Sequence, residues 1–233
     1  ECLSIQHIAK QNGGDVRAIN LSFGEPLERD PRPNAKLDGN ALFTQCLDWS
    51  ARVHNVTYLV AGNQGKGGIS IPTDNYNGVN VAYSSIRQGI YRKLDFANLS
   101  ETPIGTAKSI EDREVNVGNR RSIGLVAPGG NLKLYNLAGK AIVVNGTSFA
   151  APHATGTVAL LQEFGDRQLR TKSQMPVDVR PRWNLDTRRH EVMKAVLLNS
   201  AEKIQDSGDG LRLGMTRTKI AKNNRDWIES EAH

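Results

Sequence analysis

Residues 147–164 constrain the fold more than any other stretch of the chain. The run begins Thr147-Ser148-Phe149-Ala150-Ala151-Pro152-His153 and continues through Val158, Leu160 and Leu161 to Phe164. Its apolar content predicts a helix buried on most sides, which requires a sheet or other helices around it. Ala150, Ala151, Ala154 and Gly156 keep that helix thin. Gly146 permits close backbone approach at its entry. Pro152 lies early, where a lost N–H donor is best tolerated. Ser148 then falls at a helix N-terminus, where free N–H groups and the positive end of the helix dipole can stabilise a developing oxyanion. A bare Gly-Thr-Ser at such a place is more often a simple N-cap.

The segments before and after this helix alternate in type. Residues 2–11 carry Leu3, Ile5, Ile8 and Ala9 near helical spacing and stop at Asn12-Gly13-Gly14. A short strand over 16–21 closes at Ser22-Phe23-Gly24, and a polar loop with Pro26, Pro31 and Pro33 follows. Asn40 is expected to cap a helix reaching His54, with Leu42, Cys46, Trp49 and Val53 on its buried face. Strands are expected over 56–61, ending at Gly62-Asn63, over 79–83, and over 123–127, stopped by Pro128-Gly129-Gly130. Residues 84–121 read as short strands and loops. Residues 132–135 and 141–144 are expected to pair around a turn at 137–140. A helix over 190–201, capped by Asp186 or Thr187, is expected to bury Val192, Val196 and Asn199. The chain is then polar and irregular from Asp206 to a short helix near Trp227. This order predicts an α/β fold in three layers, with a largely parallel sheet and helices on both faces.

Composition narrows the possibilities. The 233 residues, 38% hydrophobic and 23% charged, suffice for one large domain. No apolar run approaches the ~18 residues that a membrane span requires. The net charge of +6 owes much to Arg167, Arg170, Lys172, Arg180, Arg182, Arg188 and Arg189. That basic, proline-containing excursion, 165–189, lacks an aromatic platform or nucleic-acid motif, so it reads as a solvated insertion and no nucleic-acid partner is expected. Cys2 and Cys46 make at most one pair and read better as two small buried hydrophobes. Asn-x-Ser/Thr triplets at Asn20, Asn55, Asn98 and Asn145 read as coincidence.

The longer string Asn145-Gly146-Thr147-Ser148-Phe149-Ala150-Ala151-Pro152-His153, continued by Ala154-Thr155-Gly156, closely resembles the nucleophile signature of the subtilisin-like serine peptidases (subtilases, peptidase S8). Other segments resemble that family in the same order. Ala18-Ile19-Asn20-Leu21-Ser22-Phe23-Gly24 is similar to the strand lining one wall of the substrate cleft. Leu59-Val60-Ala61-Gly62-Asn63-Gln64-Gly65 is similar to the strand ending at the oxyanion-hole asparagine. Val126-Ala127-Pro128-Gly129 precedes the nucleophile segment as in the family. The resemblance implies that Ser148 attacks a peptide carbonyl, and that the Asn63 amide and the Ser148 backbone N–H stabilise the oxyanion. Ser22, Phe23 and Gly24 would form one edge of the primary specificity pocket and Val60, Ala61 and Gly62 the other, with Ser70 or Ile71 at its floor.

The family's general base and its orienting carboxylate have no counterpart here. No His-Gly-Thr-His segment occurs, and none of His7, His54, His153, His190 and His233 occupies a matching position. The expectation is therefore a partial subtilisin-like domain over 1–233, incomplete at the N-terminus and at the C-terminus. The parent would be an active endopeptidase acting on polypeptides, and this fragment alone inactive. The alternative is an inactive, peptide-binding relative. The chemistry needs no cofactor. The resemblance allows structural calcium, but Asp74 with Asn75, and Asp206 to Asp209, read better as solvated turns, so the metal ligands stay unknown. A secreted or cell-envelope location is what the resemblance implies.

Overall fold

The computed structural model describes residues 1–11, 15–62, 70–87, 90–93, 123–173, 189–202, 217–219 and 227–229. Its centre is a strand with no exposed face. In β2 (Thr57–Ala61) every residue is buried, the pattern of a strand covered on both sides. It pairs in parallel with β1 (Ala18–Leu21) through Leu21 opposite Val60, and with β3 (Val79–Arg87) through Ala61 opposite Val81. β5 (Leu125–Pro128) adds a fourth parallel strand on the far edge of β3. β4 (Ile90–Lys93) runs antiparallel to the end of β3. Because Ser84 pairs with both β4 and β5, β4 extends the edge that β2 occupies further back.

Alternation along β2 sends its side chains into two cores. Tyr58 and Val60 join Ile19 and Leu21 under α1 (Cys2–Ala9) and α2 (Leu42–His54). Leu59 and Ala61 join Val79, Val81, Leu125 and Ala127 under α3 (Thr147–Ser173) and α4 (His190–Ser200). The result is the expected three-layer architecture. The Tyr58 phenol lies deep in the first core, 2.8 Å from the Ser50 hydroxyl. Burial raises its pKa, and the bond to Ser50 opposes that shift.

Cys2 and Cys46 are joined in a disulfide that binds α1 to α2. The expectation of two unpaired cysteines is corrected: both lie on the facing sides of these helices, with Cα atoms 5.8 Å apart, inside the normal range for a bridge.

Helix faces also differ from the expected ones. α2 buries Phe43, Thr44, Cys46, Leu47, Ser50 and Ala51, while Leu42, Trp49 and Val53 are exposed. Two polar residues on the core face hid it. Thr44 is tolerated there because its hydroxyl donates to Asp74 Oδ1 at 2.6 Å, and Ser50 because it meets Tyr58. The residue before the helix is Ala41 rather than Asn40. α4 buries His190, Met193 and Leu197 instead of Val196 and Asn199, with Val192 partly buried, and its N-cap position is Arg189; Asp186 and Thr187 lie outside the described residues. α3 is buried along one stripe only, leaving Leu160 and Phe164 exposed, and it runs on to Ser173 into the basic segment. Trp227 belongs to a strand, β9 (Trp227–Glu229), paired with β8 (Arg217–Lys219), and not to a helix.

β6 (Leu132–Tyr135) and β7 (Ala141–Val144) form the expected hairpin, in register Leu132 opposite Val144. It is apolar and exposed, with Tyr135, Leu137 and Val143 at the surface. No helix among the described residues is long and apolar enough to cross a membrane.

The disulfide closes a loop across a sequence separation of 44. Loop closure of that size contributes about 2–4 kcal/mol, chiefly through the unfolded chain. Replacing Cys46 by Ser is expected to lower the thermal midpoint by roughly 5–12 °C, read by calorimetry. Adding reductant to the unaltered protein should reproduce the shift, and should do nothing to the variant.

Candidate active site

The parallel strands end on one side of the sheet, and the chemistry-bearing residues gather there. At the end of β5, Gly129 admits the turn that leads into α3. A Cβ on it would lie 2.5 Å from the Tyr83 Cβ and 2.7 Å from the Gly146 carbonyl oxygen. Gly146 itself has φ +148° and donates its N–H to the Gly129 carbonyl at 2.9 Å. The base of the β6–β7 hairpin is held alongside by a 2.7 Å bond from the Asn131 N–H to Asn145 Oδ1. Thr147 is buried, and Ser148 opens the first turn of α3. Its N–H belongs to the set that has no carbonyl one turn back to meet.

Ser148 touches the strand that leaves β1. Its hydroxyl donates to the Ser22 carbonyl oxygen at 3.2 Å. In return the Ser22 hydroxyl donates to the Ser148 carbonyl oxygen at 2.9 Å. The two serines stand 126 positions apart in sequence. The Asn20 amide donates to the Ser22 hydroxyl oxygen at 2.8 Å. Asn20 is a participant that the sequence reading passed over as part of a chance Asn-x-Ser triplet. The available signal was its spacing, since Asn20 and Ser22 share one face of a strand whose other face is Ile19 and Leu21.

The remaining expected site residues divide. Phe23 is partly exposed and stacks on Phe43 with ring centroids 6.1 Å apart. Gly24 meets the segment at Ser70: a Cβ there would lie 2.1 Å from Ser70 Oγ and 2.9 Å from the Ile71 carbonyl oxygen. Glu25 and Ile71 exchange backbone bonds of 2.8 and 2.9 Å, which fix the two segments edge to edge. The Ser70 hydroxyl is buried and has no hydrogen-bond partner among the described residues. Val60 and Ala61 are fully buried with their backbone held between β1 and β3, and Gly62 donates to the Val81 carbonyl at 2.9 Å. Their side chains fill the two cores. Asn63 lies outside the described residues.

Asp74 and Asn75 are not a solvated turn. Asp74 accepts from the Gly39 N–H and from the Thr44 hydroxyl, both at 2.6 Å, and is fully buried. The Asn75 amide donates to the Pro72 carbonyl and to Asn80 Oδ1, both at 2.7 Å. A carboxylate can be buried here because protein donors replace water. Among the described residues no cluster of His, Cys, Asp and Glu could hold a metal ion, and Asp206 to Asp209 lie outside them.

The described histidines are occupied elsewhere. His7 pairs with Gln11 at 3.1 Å, His54 with Gln6 at 2.9 Å, and His153 with the Phe149 carbonyl oxygen at 2.9 Å. His190 lies against Asn55 and Glu191, and burial lowers its pKa despite that carboxylate. None of them bonds to Ser148 among the described residues.

A serine at a helix N-terminus, hydrogen-bonded to the segment that leaves β1, thus lies at the C-terminal ends of a parallel sheet. The subtilase family profile matches residues 3–216, and the chain belongs to that family, peptidase S8, whose members are serine peptidases. Among solved structures it is similar to the prenylagaramide maturation protease PagA, at 20% identity and a TM-score of 0.55, over 88% of this chain and 59% of that one. It is likewise similar to the S41 psychrophilic protease, at 19% identity and a TM-score of 0.53, over 99% of this chain and 60% of that one. A third is the PatG macrocyclase in complex with peptide, at 17% identity and a TM-score of 0.53, over 88% and 48%. The chain thus spans about 60% of the length of the first two. No curated protein matches in sequence.

The contact between Gly24 and Ser70 yields a direct test. Gly24→Ala is expected to cost about 1–3 kcal/mol, because the added methyl overlaps a buried hydroxyl and a backbone carbonyl. Combining it with Ser70→Gly removes the nearest of these atoms and should recover most of the loss. Equal denaturation midpoints for the single and double variants would show that the two segments do not touch.

Proposed function

We propose that the protein containing these residues is a serine endopeptidase that cleaves polypeptides through an acyl-enzyme on Ser148. The observation that carries this reading is the reciprocal bonding of Ser148 and Ser22, which places the hydroxyl nucleophile on the strand expected to line the substrate cleft. A peptide lying along residues 22–24 would pair its backbone with that edge. Its scissile carbonyl would then lie over the first turn of α3, where the Ser148 N–H supplies one oxyanion donor. The Asn63 side chain supplies the other, two positions beyond the last residue of β2. Ser70 or Ile71 is assigned to the floor of the specificity pocket, since both lie against Gly24 at one edge of it.

A serine hydroxyl needs a base to accept its proton as it attacks, and the base needs a carboxylate to orient it. The described histidines are held by other partners. The family resemblance assigns the imidazole and carboxylate to an upstream segment, and the chain by itself to an inactive state. No metal or organic cofactor enters this chemistry. The Cys2–Cys46 disulfide supports work in an oxidising compartment, in keeping with secretion or the cell envelope.

The test uses the full-length protein and a fluorophosphonate probe, which reacts with activated serines. Covalent labelling mapped to Ser148 by mass spectrometry, abolished in Ser148→Ala, is the expected result. Asn63→Ala should reduce turnover by about 10²–10³, the loss known for such an asparagine in subtilisin. Peptide binding without labelling or turnover would establish the alternative, an inactive peptide-binding relative.

A further inference from the structure

The nucleophile's own residue carries a backbone defect that the cleft strand repairs. In α3 the carbonyl of Ser148 should accept the N–H of the residue four positions on. That residue is Pro152, which has none. Pro152 is the sixth residue of the helix that begins at Thr147, beyond the first turn, so its missing donor leaves the Ser148 carbonyl without that partner inside the helix. The missing donor comes from across the sheet, as the 2.9 Å bond from the Ser22 hydroxyl.

We propose that Asn20, Ser22 and Pro152 act together as positioning residues for the nucleophile. Pro152 vacates the Ser148 carbonyl, Ser22 takes it up, and Asn20 sets the direction of the Ser22 hydroxyl. A hydroxyl has one proton to give. With the Asn20 amide donating to its oxygen at 2.8 Å, the Ser22 proton is directed onward to Ser148. The tie survives catalysis. Once a base draws on the Ser148 hydroxyl, the 3.2 Å bond from that hydroxyl to the Ser22 carbonyl is given up. The bond to the Ser148 carbonyl involves no reacting atom and remains. It fixes the first turn of α3, and with it the Ser148 Oγ and N–H, relative to the strand along which substrate lies. A helix with an ordinary residue at 152 would satisfy the carbonyl internally and leave the helix and strand untied at this point.

The kinetic consequence rests on the peptidase reading, whereas the bonding itself does not. In the full-length protein, Ser22→Ala and Asn20→Asp are each expected to lower kcat and the fluorophosphonate labelling rate by about tenfold to a hundredfold. KM should change by less than about threefold, since binding and transition-state positioning separate in this way. The aspartate is nearly isosteric but can only accept, so it turns the Ser22 proton away from Ser148. Placed in a Pro152→Ala background, which restores the helical N–H, Ser22→Ala should cost less than about threefold. An undiminished cost in that background, or an Asn20→Asp protein working at the normal rate, would overturn the proposal. Should the unaltered protein fail to label at all, the peptidase reading fails, and a crystal structure of Asn20→Asp decides the present point. Ser22 Oγ swung to the aspartate supports the relay, and Ser22 Oγ still on the Ser148 carbonyl refutes it.

Discussion

Everything in this structure is arranged around β2, whose two faces are buried and whose two edges are paired. A strand so placed must be apolar throughout, and Thr57 to Ala61 is nearly so. It forces the neighbouring elements into layers, since its side chains alternate into two cores that different helices must cover. It also fixes where chemistry can occur. The parallel pairing of β1, β2, β3 and β5 brings four strand ends to the same side. The segments that leave β1 and β5 there bring Ser22 and Gly129 to the start of α3.

Much of this was legible because the relevant signals are local. The strands announce themselves by short apolar runs closed with Gly or Pro, and the turn before Ser148 by Gly146, which reads as room for close backbone approach and whose φ of +148° favours glycine. What escaped reading depends on partners distant in the chain. The core face of α2 includes Thr44 and Ser50, which look like surface residues until Asp74 and Tyr58 are seen to satisfy them. Trp49 and Val53 look like core residues, yet the disulfide and the burial of Leu47 turn them outward. Asp74 looks like a solvated turn acid because nothing nearby in sequence shows that the Gly39 N–H will reach it.

For the candidate site, some contacts were legible and others not. Ser148 and Ser22 were each singled out by motif, and the structure brings them into contact. The wall role of Val60 and Ala61 was drawn from resemblance, and their side chains lie buried in the two cores. Asn20 was missed because a triplet pattern drew attention from the alternation that places it beside Ser22.

A serine proposed as nucleophile at the start of a helix faces a mechanical difficulty. The first turn has the fewest internal bonds, so the residue with the strictest positional requirement sits where the helix holds it least firmly. Close packing answers part of this: a methyl group has no room at Gly129, so the turn lies directly on the sheet. Directional bonding answers the rest. The two bonds between Ser148 and Ser22 span 126 positions and oppose both sliding and rotation of the helix end. The proline that denies the helix one of its own bonds leaves that carbonyl to be satisfied from outside, and the segment leaving β1 is the element in place to do so.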